Sequence, residues 1–317
     1  MDRNMPEILI YHNEAQQYAS HIQELGYKGI LRIARTPEEA ARHIEGAEVI
    51  LGWNVPDSLL AAPEGQSVRW IQSTGAGIDN LANSPRVPAP VTLTRIVDQY
   101  GRVMAEYVLG YMLFHNKEMK RLLEAQQSRR WDGFRVDTLE GKIIGVAGLG
   151  SIGAEIVAKA RAFHMQVYGL SRGTDKAPLV DRHFTSGEWT DFVKQLDYLV
   201  VALPLTQDTR YTVNQEVLAA MKPGACLINV GRGGLIDEKA LIGQLQQRPE
   251  LTAVLDVFDR EPLDRDNPLW ELPNVIITPH LSGPSRVPDV SRYFMANLDL
   301  YIQGLPLRGV VDRIRGY

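Results

Sequence analysis

Six short apolar runs succeed one another in the second half of the chain: KIIGVAG, QVYGLS, DYLVVAL, ACLINV, LTAVLDV and NVIITP. They are unbroken rather than alternating, the pattern of strands buried on both faces. Helical stretches lie between several of them. Parallel strands need long crossover connections, usually helices. This succession therefore constrains the fold more than any other feature: it predicts an α/β chain whose open, doubly wound parallel sheet carries helices on both faces. The first third repeats the pattern on a smaller scale. EILIY, GILRI, AEVILGW, VRWIQS and VTLTR read as strands. Helices are predicted from about Glu14, from Pro37, where proline suits the first helical position, and after Asp57.

From Asp98 to about Gln127 there is no proline, and Met104, Val108, Met112, His115, Met119 and Leu122 recur at helical spacing. One long helix is predicted there, with Asp98 as its N-cap. After His280, LSGPSRVPD is a connection, and Val290, Phe294, Leu298 and Ile302 mark a closing helix that crosses back to the first domain. Two Rossmann-like or flavodoxin-like domains with a cleft between them follow: residues 1–97 plus 284–317 form a discontinuous one, and residues 98–283 the other. A length of 317 residues suits two such domains.

Composition narrows the partners. A net charge of −4 gives no support for nucleic acid or an anionic membrane. No apolar run approaches the roughly 18 residues that a membrane span requires. The opening MDRNMPEILIYHNE breaks its apolar piece with Pro6, Glu7 and His12, so a signal peptide is not expected and the default location is cytoplasmic. Cys226 is the only cysteine, which excludes an internal disulfide and a cysteine-rich zinc site; no metal is expected.

Gly148, Gly150 and Gly153 stand in G-x-G-x-x-G spacing. They follow the strand Lys142–Ala147 and open a helix carrying Ile152, Ile156, Ala160 and Phe163, which is the context a dinucleotide fingerprint demands. Gly148 is expected to make the turn, Gly150 to admit the pyrophosphate, and Gly153 to let helix and strand pack. The N–H groups of Ser151 and Ile152 and the helix dipole would hold the anion. At the end of the next strand, an NAD site normally places a carboxylate for the ribose 2′-OH. Here stand Ser171 and Arg172, with Lys176 nearby. A hydroxyl and a guanidinium suit a 2′-phosphate that a carboxylate would repel. NADP is therefore the preferred cofactor; NAD is the alternative, with Asp175 in the reader's place.

Three ionisable residues each stand just beyond a predicted strand: Arg232 in LINVGRG, Glu261 in LDVFDREPL and His280 in VIITPH. Ligands of doubly wound sheets bind outside the carboxyl ends of the strands, so these groups are predicted to converge despite sequence gaps of 29 and 19 residues. Arg232 is framed by Gly231, Gly233 and Gly234. Its fork is suited to a carboxylate or phosphate, although an arginine opening a surface loop is the plainer reading. In STGAGID, Gly75, Ala76 and Gly77 are candidates for a backbone nest that binds a carboxylate, against a plain glycine turn. Trp53, Tyr100 and Arg286 are weaker pocket candidates.

Several of these pieces together carry a resemblance. GLGSIG, LPLTQDTRYTVNQEVLAAMKPGACLINVGRGGLIDEKAL, LDVFDREPL and LPNVIITPHLSG, with STGAGID and YGRVMAEYVLGYML upstream, resemble the D-isomer-specific 2-hydroxyacid dehydrogenases. The likeness covers most of the chain from Ser73 to Gly283, and before it extends only to the βα pattern. It implies reduction of a small 2-keto acid such as glyoxylate, hydroxypyruvate or pyruvate to the 2-hydroxy acid, of D configuration where the product is chiral, with hydride from NAD(P)H. The discontinuous domain would bind substrate and the central one the dinucleotide. His280 would give the proton to the carbonyl oxygen, Glu261 would fix its tautomer and favour imidazolium, and Arg232 would grip the substrate carboxylate. The resemblance further implies that Asp256 lies beside the nicotinamide carboxamide, that Pro204 and Thr209 line the adenosine half, and that Val230 belongs with the cofactor contacts. It also implies a homodimer formed through the long helix. Two readings compete: a dinucleotide-sensing protein similar to the corepressor branch, and an oxidase of formate or phosphite. Glutamate rather than glutamine at 261 argues against the formate branch.

Overall fold

Short runs of Val, Ile and Leu form the strands of two wholly parallel sheets. The computed structural model describes residues 5–313, and these fall into two units. The first takes the chain up to Gln99 and again from Ser285; the second is Tyr100–Pro284.

The first unit runs β1 (Ile8–Tyr11), α1 (Ala15–Glu24), β2 (Leu31–Ala34), α2 (Pro37–His43), β3 (Val49–Gly52), α3 (Ser58–Ala61), β4 (Trp70–Ser73), α4 (Asp79–Ala82) and β5 (Thr92–Thr94). Its strand order is β2-β1-β3-β4-β5, the flavodoxin-like form of the doubly wound sheet. Leu9, Ile50, Ile71 and Leu93 are buried in one of its cores.

The second unit begins with α5 (Gly101–Asn116) and α6 (Met119–Gln127). The single long helix expected there is thus two. Glu118 takes a left-handed φ of 49° and breaks the path, which a periodicity of apolar residues does not register. Asp98, at a φ of 62°, is not the cap; Tyr100 holds that position and makes no side-chain cap bond. There follow β6 (Ile143–Ala147), α7 (Ser151–Ala162), β7 (Gln166–Leu170), β8 (Arg182–Phe184), α8 (Trp189–Val193), β9 (Tyr198–Val201), α9 (Gln215–Ala220), β10 (Cys226–Asn229), α10 (Glu238–Gln247), β11 (Thr252–Leu255) and β12 (Val275–Ile277). The order β12-β11-β10-β9-β6-β7-β8 reverses direction between β6 and β9. That reversal is the switch point at which Rossmann sheets bind ligands. β8 is a seventh strand beyond the six expected, too short and too polar to read as an apolar run.

The chain then forms α11 (Val287–Gln303), which belongs to the first unit. Trp70 of β4 stacks on Phe294 and Tyr301 of this helix. Asn297 donates to the buried Gln72 amide oxygen at 3.0 Å, which fixes the helix to the sheet. Among the described residues, no helix is long and apolar enough to cross a membrane.

Candidate active site

The glycine loop occupies the switch point. Gly148, just past β6, has a φ of +103°, and a Cβ there would lie 2.6 Å from the Ala202 carbonyl oxygen. Both facts require glycine. A Cβ on Gly153 would lie 1.9 Å from the Gly148 oxygen, so its absence lets α7 lie close against the end of β6. Gly150 differs: nothing stands within 4 Å of where its Cβ would be. It is the N-cap of α7 and offers no side chain to the first-turn N–H groups, among them those of the exposed Ser151 and the half-buried Ile152. Open space beside uncapped amides at the positive end of a three-turn helix fits a pyrophosphate.

Ser171 and Arg172 follow β7. The Ser171 hydroxyl lies 2.9 Å from the Gly173 carbonyl oxygen and 2.8 Å from His183 Nε2. Arg172 is exposed, 3.9 Å from the Asp208 carboxylate. Lys176 lies 3.5 Å from Asp175. Beyond β9, the Thr209 hydroxyl donates to the Pro204 carbonyl at 2.7 Å and accepts from the Thr206 N–H at 2.8 Å, closing that turn on itself. Val230 is buried at the end of β10.

Past the adjoining strand ends stand the ionisable residues. Asn229, buried at the end of β10, accepts from Gly231 N–H at 3.1 Å and donates to the Arg232 carbonyl at 3.0 Å, which shapes the turn that presents Arg232. A Cβ on Gly233 would fall 1.8 Å from the Phe258 carbonyl carbon, so this loop touches the loop after β11 backbone to backbone. That second loop carries Glu261. One carboxylate oxygen accepts from Phe258 N–H at 3.0 Å, and the other lies 2.7 Å from His280 Nδ1. Burial pushes the Glu261 carboxyl up. The bonds from His280 and Phe258 and the charges of His280 and Arg232 outweigh it and hold the group below the ordinary carboxylate range. Arg232 is therefore near enough for its charge to act on Glu261.

His280 has a left-handed φ of 52°, which an L-residue adopts only when its surroundings hold it there. The holder is Asp256. Its carbonyl accepts from His280 N–H at 2.9 Å. Its wholly buried carboxylate accepts from the Thr278 hydroxyl at 2.6 Å and from the N–H groups of Leu281 and Ser282 at 2.9 Å each. Tyr107 of α5 meets the same Thr278 hydroxyl at 2.6 Å, and burial pushes the Tyr107 phenol up. Asp256 was expected only beside the cofactor; the structure uses its carboxylate to latch the His280 turn. Asn229, Thr278 and Tyr107 were not foreseen. A threonine inside the apolar run VIITP was the one sequence signal that could have raised the second.

In the first unit, the Gly75 N–H donates to the Ser73 hydroxyl at 3.1 Å, and that hydroxyl donates to the Gly77 carbonyl at 3.0 Å. The Gly75 amide is engaged within the loop, and Ala76 and Gly77 are half-buried beside it. What Gly75 contributes is room, because a Cβ there would lie 2.1 Å from the Trp53 ring. Arg286 caps α11 in backbone only; its guanidinium is exposed, 3.7 Å from Asp289. Tyr100 is buried in the second unit, next to Gly283.

Switch-point cradle and strand-end imidazole both lie in the second unit, which is thereby a dinucleotide-binding module equipped for acid–base chemistry. Comparison with known proteins makes the class specific. The model of the D-isomer specific 2-hydroxyacid dehydrogenase NAD binding domain matches residues 109–282, more than half of the chain. The chain belongs to that family. It is 28% identical over 317 residues to glyoxylate/hydroxypyruvate reductase A of Klebsiella pneumoniae strain 342, covering 98% of this chain and 100% of the relative. It is 33% identical to D-3-phosphoglycerate dehydrogenase of Methanocaldococcus jannaschii over 77% of this chain, and spans about half (47%) of that longer protein. A crystal structure of an NADPH-dependent glyoxylate/hydroxypyruvate reductase from Sinorhizobium meliloti, in complex with NADP and sulfate, superposes with a TM-score of 0.88 at 27% identity, covering 98% of this chain and 99% of that one.

Proposed function

We propose that the chain is a reductase of small 2-keto acids, glyoxylate and hydroxypyruvate first among them and pyruvate a further member of the class, that prefers NADPH over NADH. The observation that carries this reading is the 2.7 Å contact between His280 Nδ1 and the Glu261 carboxylate, set over the strand ends of a dinucleotide-binding sheet. A dihydronicotinamide held by the glycine cradle would supply the hydride. With Nδ1 held by Glu261, His280 delivers the Nε2 proton to the carbonyl oxygen that becomes the hydroxyl, and takes it back in the reverse direction. Glu261, kept ionised, stabilises the imidazolium that gives the proton. Arg232 pairs with the substrate carboxylate through its fork and lends positive charge to the carbonyl oxygen. Ser171 and Arg172 read the 2′-phosphate. The NADP-bound Sinorhizobium relative supports the cofactor assignment.

The test is the loss of NADPH absorbance with a panel of glyoxylate, hydroxypyruvate, pyruvate and larger keto acids. Turnover with the small acids, faster with NADPH than with NADH, is the expected outcome. No turnover with any acid, from folded protein that binds NADPH, refutes the reading.

We further propose a homodimer. Trp131 is 99% exposed and Leu123 of α6 52% exposed. A second copy covering these apolar side chains gives them the burial they lack here.

A further inference from the structure

At the carboxyl end of β7 lies a polar contact that the acid–base apparatus does not use. β8 pairs with β7 in parallel, with Gly169 opposite His183 and Leu170 opposite Phe184. Ser171 N–H donates to the Phe184 carbonyl at 3.2 Å, which carries the pairing one residue past the strand. That register puts the half-buried His183 against Ser171, with Nε2 2.8 Å from the hydroxyl oxygen.

We propose that His183 determines cofactor specificity by acting through Ser171 on the 2′-phosphate; the inference rests on the NADPH reading above. A serine hydroxyl has one proton and two lone pairs. With its proton on the Gly173 carbonyl, at 2.9 Å, the oxygen must accept from His183, so Nε2 carries a hydrogen. A 2′-phosphate is a stronger acceptor than a neutral carbonyl. Ser171 turns its proton to the phosphate while His183 keeps the oxygen's acceptor side occupied and polarises the O–H outward. With NAD there is no phosphate, and the hydroxyl stays on Gly173. The gain is confined to the phosphorylated cofactor, which makes His183 a positioning residue for discrimination. The charges around the pair are mixed. Arg172 and Lys176 are the cations on the β7 side, with Asp208 and Asp175 as their neighbours. Arg182 lies over the Phe184 ring, on the other face of β8 from His183. The Glu188 carboxylate is taken by the Thr185 N–H and hydroxyl at 2.7 Å each.

The test is calorimetric titration of the full-length protein with 2′,5′-ADP and with 5′-AMP, probes that differ in the 2′-phosphate, for the wild type, His183→Leu and His183→Gln. The leucine variant should weaken 2′,5′-ADP binding about three- to tenfold and leave 5′-AMP within about twofold. Glutamine, whose amide N–H reaches the same place, should restore most of the loss. Equal weakening of both probes by leucine, no weakening of either, or a glutamine variant as poor as leucine overturns the inference. A wild type with no preference for 2′,5′-ADP would instead sink the NADPH reading and this inference with it.

Discussion

Asp256→Asn changes one oxygen to an amide nitrogen at the point on which the His280 turn depends. The carboxylate takes three donors: the Thr278 hydroxyl and the Leu281 and Ser282 N–H groups. An amide has one acceptor oxygen. If it keeps Thr278 and Leu281, its NH2 faces the Ser282 N–H, and a buried donor is orphaned. Losing a hydrogen bond to a charged group costs about 1.5–3 kcal/mol, and the two that remain become neutral and weaker. The sum is about 3–5 kcal/mol. In a unit of 185 residues (100 to 284), a loss of that size lowers Tm by roughly 10 °C. Without the latch, His280 is no longer held at a φ of +52°, and displacement of the imidazole by about 1 Å costs on the order of 100-fold in kcat. Thermal unfolding and NADPH oxidation on the same preparations measure both. Thr278→Val, which removes the hydroxyl shared by Asp256 and Tyr107, should shift both readouts in the same direction by less. An Asp256→Asn protein that melts within about 1 °C of the wild type at unchanged kcat would refute the latch.

Glu261→Gln probes the ion pair through pH. The native carboxyl lies below its ordinary value of 4.5, so its ionised form stabilises the fold above that value and the contribution is lost as pH falls through the native one. The Tm gap between wild type and variant should be widest near neutrality and close below about pH 4.5; a gap independent of pH would contradict the pairing. On the proposed homodimer, Trp131→Asp should leave the fold intact and halve the mass seen by light scattering, because it charges the side chain that is 99% exposed in the isolated chain. An unchanged dimer would place the interface elsewhere.

Both sheets were legible because strands buried on both faces are written as unbroken apolar runs: Tyr198–Val201 and Cys226–Asn229 are buried at every position. β8 escaped because Arg182 and His183 give an edge strand no such run. The helix break at Glu118 escaped because one left-handed residue leaves the apolar spacing intact on either side. From the residues alone the site was legible as a set of strand ends; the pairing of Glu261 with His280 was implied only by the family resemblance. Sequence placed Arg232, Glu261 and His280 each after a strand, but the Glu261–His280 contact depends on where two loops turn back. The same limit hid Asn229, Thr278 and Tyr107: a polar residue within an apolar run looks alike whether it merely satisfies the core or holds a neighbouring loop. It also hid that Gly75's amide is engaged by Ser73, a choice made by local turn geometry.

Turnover of His280→Ala, set beside its NADPH dissociation constant, separates proton transfer at the imidazole from cofactor binding. On the proposed role of His280 as proton carrier, its removal should lower kcat by about 100- to 10,000-fold while NADPH binding stays within about twofold of the wild type, because the glycine cradle is built from other residues. A variant that turns over keto acids at the native rate would rule out proton transfer by His280, as would one that loses NADPH affinity as steeply as it loses turnover.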